Sequence, residues 1–129
     1  MFTGGSGSRT TKAAGDEAEA LALAEARRRG MVLVERNYRV ARGPRARGGE
    51  VDLILRDRDG TLVFVEVRAR RSREHGGAAA SIGAAKRARI VLAARHYLMR
   101  LAAPPPCRFD VVAVDGGRVE WLEAAFDGD

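Results

Sequence analysis

Two carboxylates carry the chemical interest of this 129-residue chain. Glu66 sits in the run Leu62-Val63-Phe64-Val65-Glu66-Val67-Arg68, and Asp52 in Glu50-Val51-Asp52-Leu53-Ile54. Both runs have the β-branched and apolar content of buried strands. A charged carboxylate buried without a partner is costly, so Glu66 needs something to face. A second carboxylate alone does not answer that need, because like charges on neighbouring strands repel. A divalent cation held between the two does, since hard cations take carboxylate oxygens. The competing reading is that both acids are solvated strand residues.

Whether the two acids meet depends on the turn between the strands, Asp57-Arg58-Asp59-Gly60. A three-residue loop, Arg58 to Gly60 with Gly60 left-handed, pairs Asp57 with Thr61. Asp52 then lies opposite Glu66, with Cβ atoms roughly 5 Å apart. A two-residue Asp59-Gly60 turn would instead send the acids to opposite faces. The first register also sets Glu50 opposite Arg68. That pair reads either as a plain cross-strand salt bridge or as a device that holds Arg68 toward the carboxylates.

The elements that must position this hairpin follow from periodicity and punctuation. Met1 to Ala14 is rich in Gly, Ser and Thr and reads as a flexible tail. Residues 15–129 read as a single domain. Asp16 to Arg29 is an Ala-rich helix with acids first and arginines last, stopped by Gly30. Met31 to Val40 is a strand, or two short ones around Asn37. Ala41 to Gly49 is a basic, Gly-rich loop, and Ala69 to Gly77 is a second one. Ala79 to Ala102 is a long helix with a basic face, ended by Pro104-Pro105-Pro106. Arg108 to Val114 and Arg118 to Leu122 are strands joined by Asp115-Gly116-Gly117. The order is α-β-β-β-α-β-β, an α/β domain with no internal repeat.

On these residues the chain resembles the YraN-like family of bacterial proteins, whose pattern is approximately GEIDLI … LVFVEVKTR. Here the corresponding segments are Gly49 to Ile54 and Leu62 to Arg70. Arg36-Asn37-Tyr38-Arg39, Lys86 with Arg89, Arg108-Phe109-Asp110-Val111-Val112 and Ala125-Phe126 resemble further motifs of that family, in order, from about Gly15 to Phe126. The family looks like a branch of the PD-(D/E)xK nucleases, near archaeal Holliday-junction resolvases. The resemblance implies a restriction-endonuclease-like core, a mixed central sheet flanked by helices. It implies Asp52 and Glu66 as ligands for Mg²⁺ or Mn²⁺, and Glu19 on the first helix as a third carboxylate, with Glu17 the alternative. Glu19 also reads as an acid that merely favours the helix dipole. The family's Lys two residues after the Glu is Arg68 here. Arg can bind phosphate bidentately but is effectively never deprotonated, so it cannot serve as a general base. Lys86 is a candidate substitute in space.

The implied activity is metal-assisted hydrolysis of phosphodiester bonds in structured or branched DNA. Arg68 would stabilise developing charge. Arg42, Arg45 and Arg47, then Arg70, Arg71 and Arg73, then Lys86, Arg87 and Arg89 would hold backbone phosphates. These clusters also read as ordinary solvated surface. Nothing resembles a base-reading motif.

Composition narrows the alternatives. The net charge is +6 with only one cysteine. Positive charge favours nucleic acid as partner. A lone Cys107 excludes an intrachain disulfide and a Cys-rich zinc site and reads as a core residue. His75 and His96 are not spaced as a ligand pair and read as surface residues, while Trp121 reads as core packing. No apolar run reaches the ~18 residues of a membrane span, and the start of the chain lacks a charged-then-apolar pattern. The expectation is a cytoplasmic protein without membrane or small-molecule cofactor; resolvase-like relatives act as dimers, so a homodimer is a further expectation. Three classes remain: a metal-dependent nuclease, a nucleic-acid-binding protein of the same fold with weak or lost turnover, and a basic interaction protein.

Overall fold

Alternating apolar residues build one mixed five-stranded sheet in the computed structural model, which describes residues 11–44, 46–69 and 82–128. The elements are α1 (Thr11–Arg28), β1 (Val32–Val40), β2 (Gly49–Arg56), β3 (Leu62–Ala69), α2 (Ala84–Leu98), β4 (Cys107–Asp115) and β5 (Arg118–Phe126). Spatial order follows chain order, β1 to β5. Only β3 and β4 run parallel. A parallel pair needs a crossover, and α2 supplies it. This is the restriction-endonuclease-like α/β architecture.

Among the described residues each face of the sheet is covered by one helix. Leu53, Leu55, Val63, Val65, Val112 and Val114 pack under Ala18, Ala22, Leu23 and Ala26 of α1. Val51, Ile54, Leu62, Phe64 and Phe109 pack under Ile90, Ala93, Ala94 and Tyr97 of α2. Small residues on both helices let them sit close to the strands. On the strand side Gly49 of β2 does the same for α2, since a Cβ there would lie 2.6 Å from the Ala93 backbone nitrogen.

Several boundaries differ from the sequence reading. α1 begins at Thr11, so residues 11–14 are helix and not tail; Lys12 pairs with Asp16 at 3.0 Å across one turn. Residues 1–10 lie outside the described residues. With the longer helix, Glu19 is mid-helix and the dipole no longer accounts for it. Gly30 does stop α1, with φ +85° and a Met31 N–H to Ala26 carbonyl bond of 3.0 Å. α2 is shorter than Ala79 to Ala102. Ile82 and Gly83 precede it, and it ends at Leu98. The last turn tightens through Arg100 N–H to Tyr97 O and Leu101 N–H to Leu98 O bonds, before the prolines are reached.

β5 runs to Phe126, past the expected end at Leu122. Asp110 explains the extension. This fully buried carboxylate accepts the Ala124 N–H at 2.8 Å and the Trp121 Nε1–H at 2.9 Å, and pairs with Arg108 at 3.1 Å. It thereby bridges an irregularity at which Ala124 takes φ +51°. Trp121 packs against the α1 side of the core. Cys107 is exposed, contrary to the expected core role, because it is the first residue of β4 and precedes the buried run.

Candidate functional site

The hairpin between β2 and β3 closes through a three-residue loop. Asp57 N–H donates to Thr61 O at 2.9 Å, Gly60 N–H donates to Asp57 O at 3.0 Å, and Gly60 has φ +92°. The ladder runs from Arg56 with Leu62 to Leu53 with Val65. Extended by one residue, that register sets Asp52 opposite Glu66.

Beyond Leu53 the two strands part. The Val67 N–H, next in the bonding series of β3, donates to Asp52 Oδ2 at 2.7 Å. β1 shows why β2 leaves. Arg36 pairs with Leu53 and Tyr38 with Val51, bracketing Asn37 and Asp52. Both strands change face between these pairs. Leu53 packs under α1 and Val51 under α2. Arg36 reaches Glu19 of α1, whereas Tyr38 packs on the α2 side. Asn37 has φ +50°, a left-handed conformation that Asn tolerates better than most residues. The bend turns Asp52 into the gap between β2 and β3.

Glu66 faces the same gap and is 3% exposed. Its Oε2 lies 3.7 Å from Lys86 Nζ and 3.6 Å from Arg68 Nη1. Its Oε1 is buried and has no hydrogen-bond partner among the described residues. Burial, then the charge of Asp52, pushes the Glu66 carboxyl up to about 8, against the opposing pull of Lys86 and Arg68. Burial also raises Asp52, although the Val67 N–H holds it down. Two species can satisfy the orphaned oxygen: a proton shared by the two carboxyls, or a cation bound between them.

A second layer surrounds the pair. Glu50 accepts a hydrogen bond from Arg89 and lies 3.9 Å from both Lys86 Nζ and Arg39 Nε. Arg89 also donates to the Gly48 carbonyl at 3.3 Å. Arg89 therefore clamps α2 to the start of β2 and is not an uncommitted phosphate contact. Glu19 is close enough to Asp52 for that charge to raise it, after burial, but its carboxylate is held by Arg36 at 3.7 Å. Among the described residues no group of three or more His, Cys, Asp and Glu is gathered as a metal cluster. Asp52 and Glu66 are thus brought together, with Glu19 within electrostatic reach of Asp52 but paired with Arg36.

The 97-residue span from Ala18 to Val114, which carries all of these groups, matches the model of the uncharacterised protein family UPF0102. The chain belongs to that family. A UPF0102 protein of Methylibium petroleiphilum is 70% identical over 118 residues, covering 92% of this chain and 97% of the relative. One from Paracidovorax citrulli is 65% identical, covering 92% and 85%. One from Acidovorax sp. is 59% identical over 124 residues, covering 96% and 92%. UPF0102 proteins are the YraN-like branch of the PD-(D/E)xK superfamily, as the motif resemblance implied.

The other expected positions of this UPF0102 chain fall out as follows. Arg68 follows Glu66 on β3 with its side chain 35% exposed. Arg42 and Arg47 are exposed in the β1–β2 loop. Arg87 is exposed on α2, its guanidinium 5.6 Å from the Phe126 ring centre. Glu17 is exposed. His96 is exposed and shares a 2.7 Å hydrogen bond with Tyr38 Oη. Arg45, Arg70, Arg71, Arg73 and His75 lie outside the described residues. Sequence reasoning missed Arg36, Glu50 as the hub of α2's cations, and the Val67 N–H. Each depends on contacts between elements distant in the chain, which local pattern does not signal. No helix among the described residues is long and apolar enough to cross a membrane.

Proposed function

We propose that the protein binds the sugar-phosphate backbone of structured nucleic acid, DNA in the first instance, across the mouth of the Asp52–Glu66 gap, with turnover reduced relative to a full nuclease. The observation that carries this reading is the make-up of the gap. Cations from two elements, Lys86 of α2 and Arg68 of β3, flank one carboxylate pair, and the third carboxylate is engaged by Arg36. Arg42, Arg47 and Arg87 add exposed positive charge. Phosphate contacts of this kind fix position without reading sequence. Recognition then follows backbone shape. Binding weakens steeply with salt, as released counterions require.

A second reading, a Mg²⁺- or Mn²⁺-dependent nuclease, is favoured by the orphaned Glu66 Oε1. The residues present fit a hard cation. Mg²⁺ is commonly held by one or two carboxylates, with water and substrate phosphate completing its shell. Asp52 and Glu66 would hold it, and when bound it would supply Lewis acidity toward phosphate and water. The chain's own groups do the rest. The Val67 N–H fixes the Asp52 carboxylate, Arg68 and Lys86 offset charge on the phosphate, and Arg89 keeps α2 in register.

A labelled panel of duplex, single strand, fork, four-way junction and RNA tests both readings, with and without Mn²⁺, in wild type, Asp52→Asn and Arg68→Lys. Salt-sensitive binding with little or no cleavage is the expected wild-type result. Metal-dependent cleavage that disappears in Asp52→Asn would replace it with the second reading. Salt-insensitive or absent binding would remove both.

A further inference from the structure

Lys86 is out of keeping with its own chain. Of 23 basic residues only two are lysines, Lys12 and Lys86. Arginine fills every other basic position, including Arg68. Lys12 lies on the surface of α1 with its side chain 84% exposed, whereas Lys86 is 26% exposed and turned into the gap.

Its surroundings are equally particular. The ammonium stands 3.7 Å from Glu66 Oε2 and 3.9 Å from Glu50 Oε1. Both distances are longer than an N–H···O hydrogen bond. Charge holds the group in place while its three donors stay unspent on those two oxygens. An ammonium is a compact point charge on a flexible stem, able to pivot between acceptors. A guanidinium is a rigid fork that commits to one planar partner. Glu50 has a second cation in Arg89, so Lys86 can leave it without stranding the carboxylate.

We infer that Lys86 is the group that contacts the phosphate brought to the Asp52–Glu66 pair, so that this chain delivers its site lysine from the first turn of α2 and not from β3. The inference rests on the reading of the gap as a phosphate-binding site. It goes further by giving Lys86 the direct contact to phosphate and by separating its part from that of Arg68. Arg68 remains an electrostatic neighbour of Glu66, and Lys86 donates its N–H groups to a non-bridging phosphate oxygen.

The scarcity of lysine provides the assay. The full-length protein is acetylated with an amine-reactive ester, alone and saturated with a four-way junction or duplex in Ca²⁺, and Lys12 and Lys86 are quantified by mass spectrometry. Bound DNA should slow acetylation of Lys86 several-fold and leave Lys12 unchanged. In parallel, Mn²⁺-dependent cleavage is compared in wild type, Lys86→Met and the double variant Lys86→Met/Arg68→Lys. Where wild type cleaves, Lys86→Met should lose about 100-fold, and returning a lysine to β3 in the double variant should restore part of it. Undiminished acetylation of Lys86 at saturating DNA overturns the inference while leaving the binding reading intact. Protection of Lys86 with no cleavage by any variant supports the inference and removes the nuclease reading. DNA that fails to bind removes the inference and the binding reading together.

Discussion

Replacing Glu66 by Gln should stabilise the protein at high pH and leave it unchanged at low pH. The cause is the cost of ionising a buried carboxyl beside Asp52. Burial and that neighbour raise Glu66 from 4.5 to about 8. The folded state therefore keeps this proton after the unfolded chain has lost it, and stability falls as pH climbs through that window. At about 1.4 kcal/mol per pH unit the full penalty is roughly 5 kcal/mol above pH 8. Relaxation of the surroundings about a buried charge relieves part of such a penalty, so about 2–3 kcal/mol is the expected gain in Glu66→Gln at pH 9. Below pH 5 the native Glu66 is protonated, Gln imitates it, and the difference should vanish. Urea unfolding at pH 5, 7 and 9, read by the fluorescence of the single Trp121, measures this directly. An equal effect at all three values, or a loss of stability at pH 9, would refute the argument.

Four further outcomes are expected. Mg²⁺ should raise the melting temperature of the wild type at pH 9 and not that of Glu66→Gln, by scanning calorimetry, because a cation bound only by the folded pair stabilises it. Asp110→Ala should cost about 2–4 kcal/mol in urea unfolding, since it removes one of the two close carboxylates from a part-buried Arg108, which keeps Asp57, and strips the acceptor from the Trp121 and Ala124 N–H groups. Gly49→Ala should cost about 1–3 kcal/mol and weaken DNA binding, because the new Cβ would push α2, and Lys86 with it, off β2. Asn37→Val should cost about 1–2 kcal/mol at its left-handed φ, whereas Asn37→Gly should be nearly neutral; chemical denaturation separates the two.

Much of the architecture was legible because it is written in short-range terms. The turn between Asp57 and Thr61 left two registers open, and the three-residue form that the structure takes fixes which residue faces Glu66. The burial of Glu66 followed from its Val and Phe neighbours. Helix boundaries were less legible, because Gly15 and the Gly-rich start argued against a helix that the Lys12–Asp16 pair and the Ala run sustain. The approach of Lys86 was only a conjecture from sequence. It depends on how a crossover helix lies over the sheet, which the close fit of Gly49 against Ala93 decides and local periodicity does not encode. The role of Asp110 was hidden for the same reason. Its partners come from its own strand and from the next one, across an irregular turn of backbone.

The left-handed residues have a consequence for how this molecule meets others. The two outermost strands of the sheet, β1 and β5, each contain one, Asn37 and Ala124. An exposed rim of regular strand is a template on which another chain can grow a ladder, and it is how many sheet proteins seed aggregates. Here each rim is broken part-way along by a residue wound against the pleat. A foreign strand aligned with either rim would lose register at the break. Rim-to-rim pairing between copies is thereby disfavoured, so the feature that aims Asp52 also guards the chain against templated stacking.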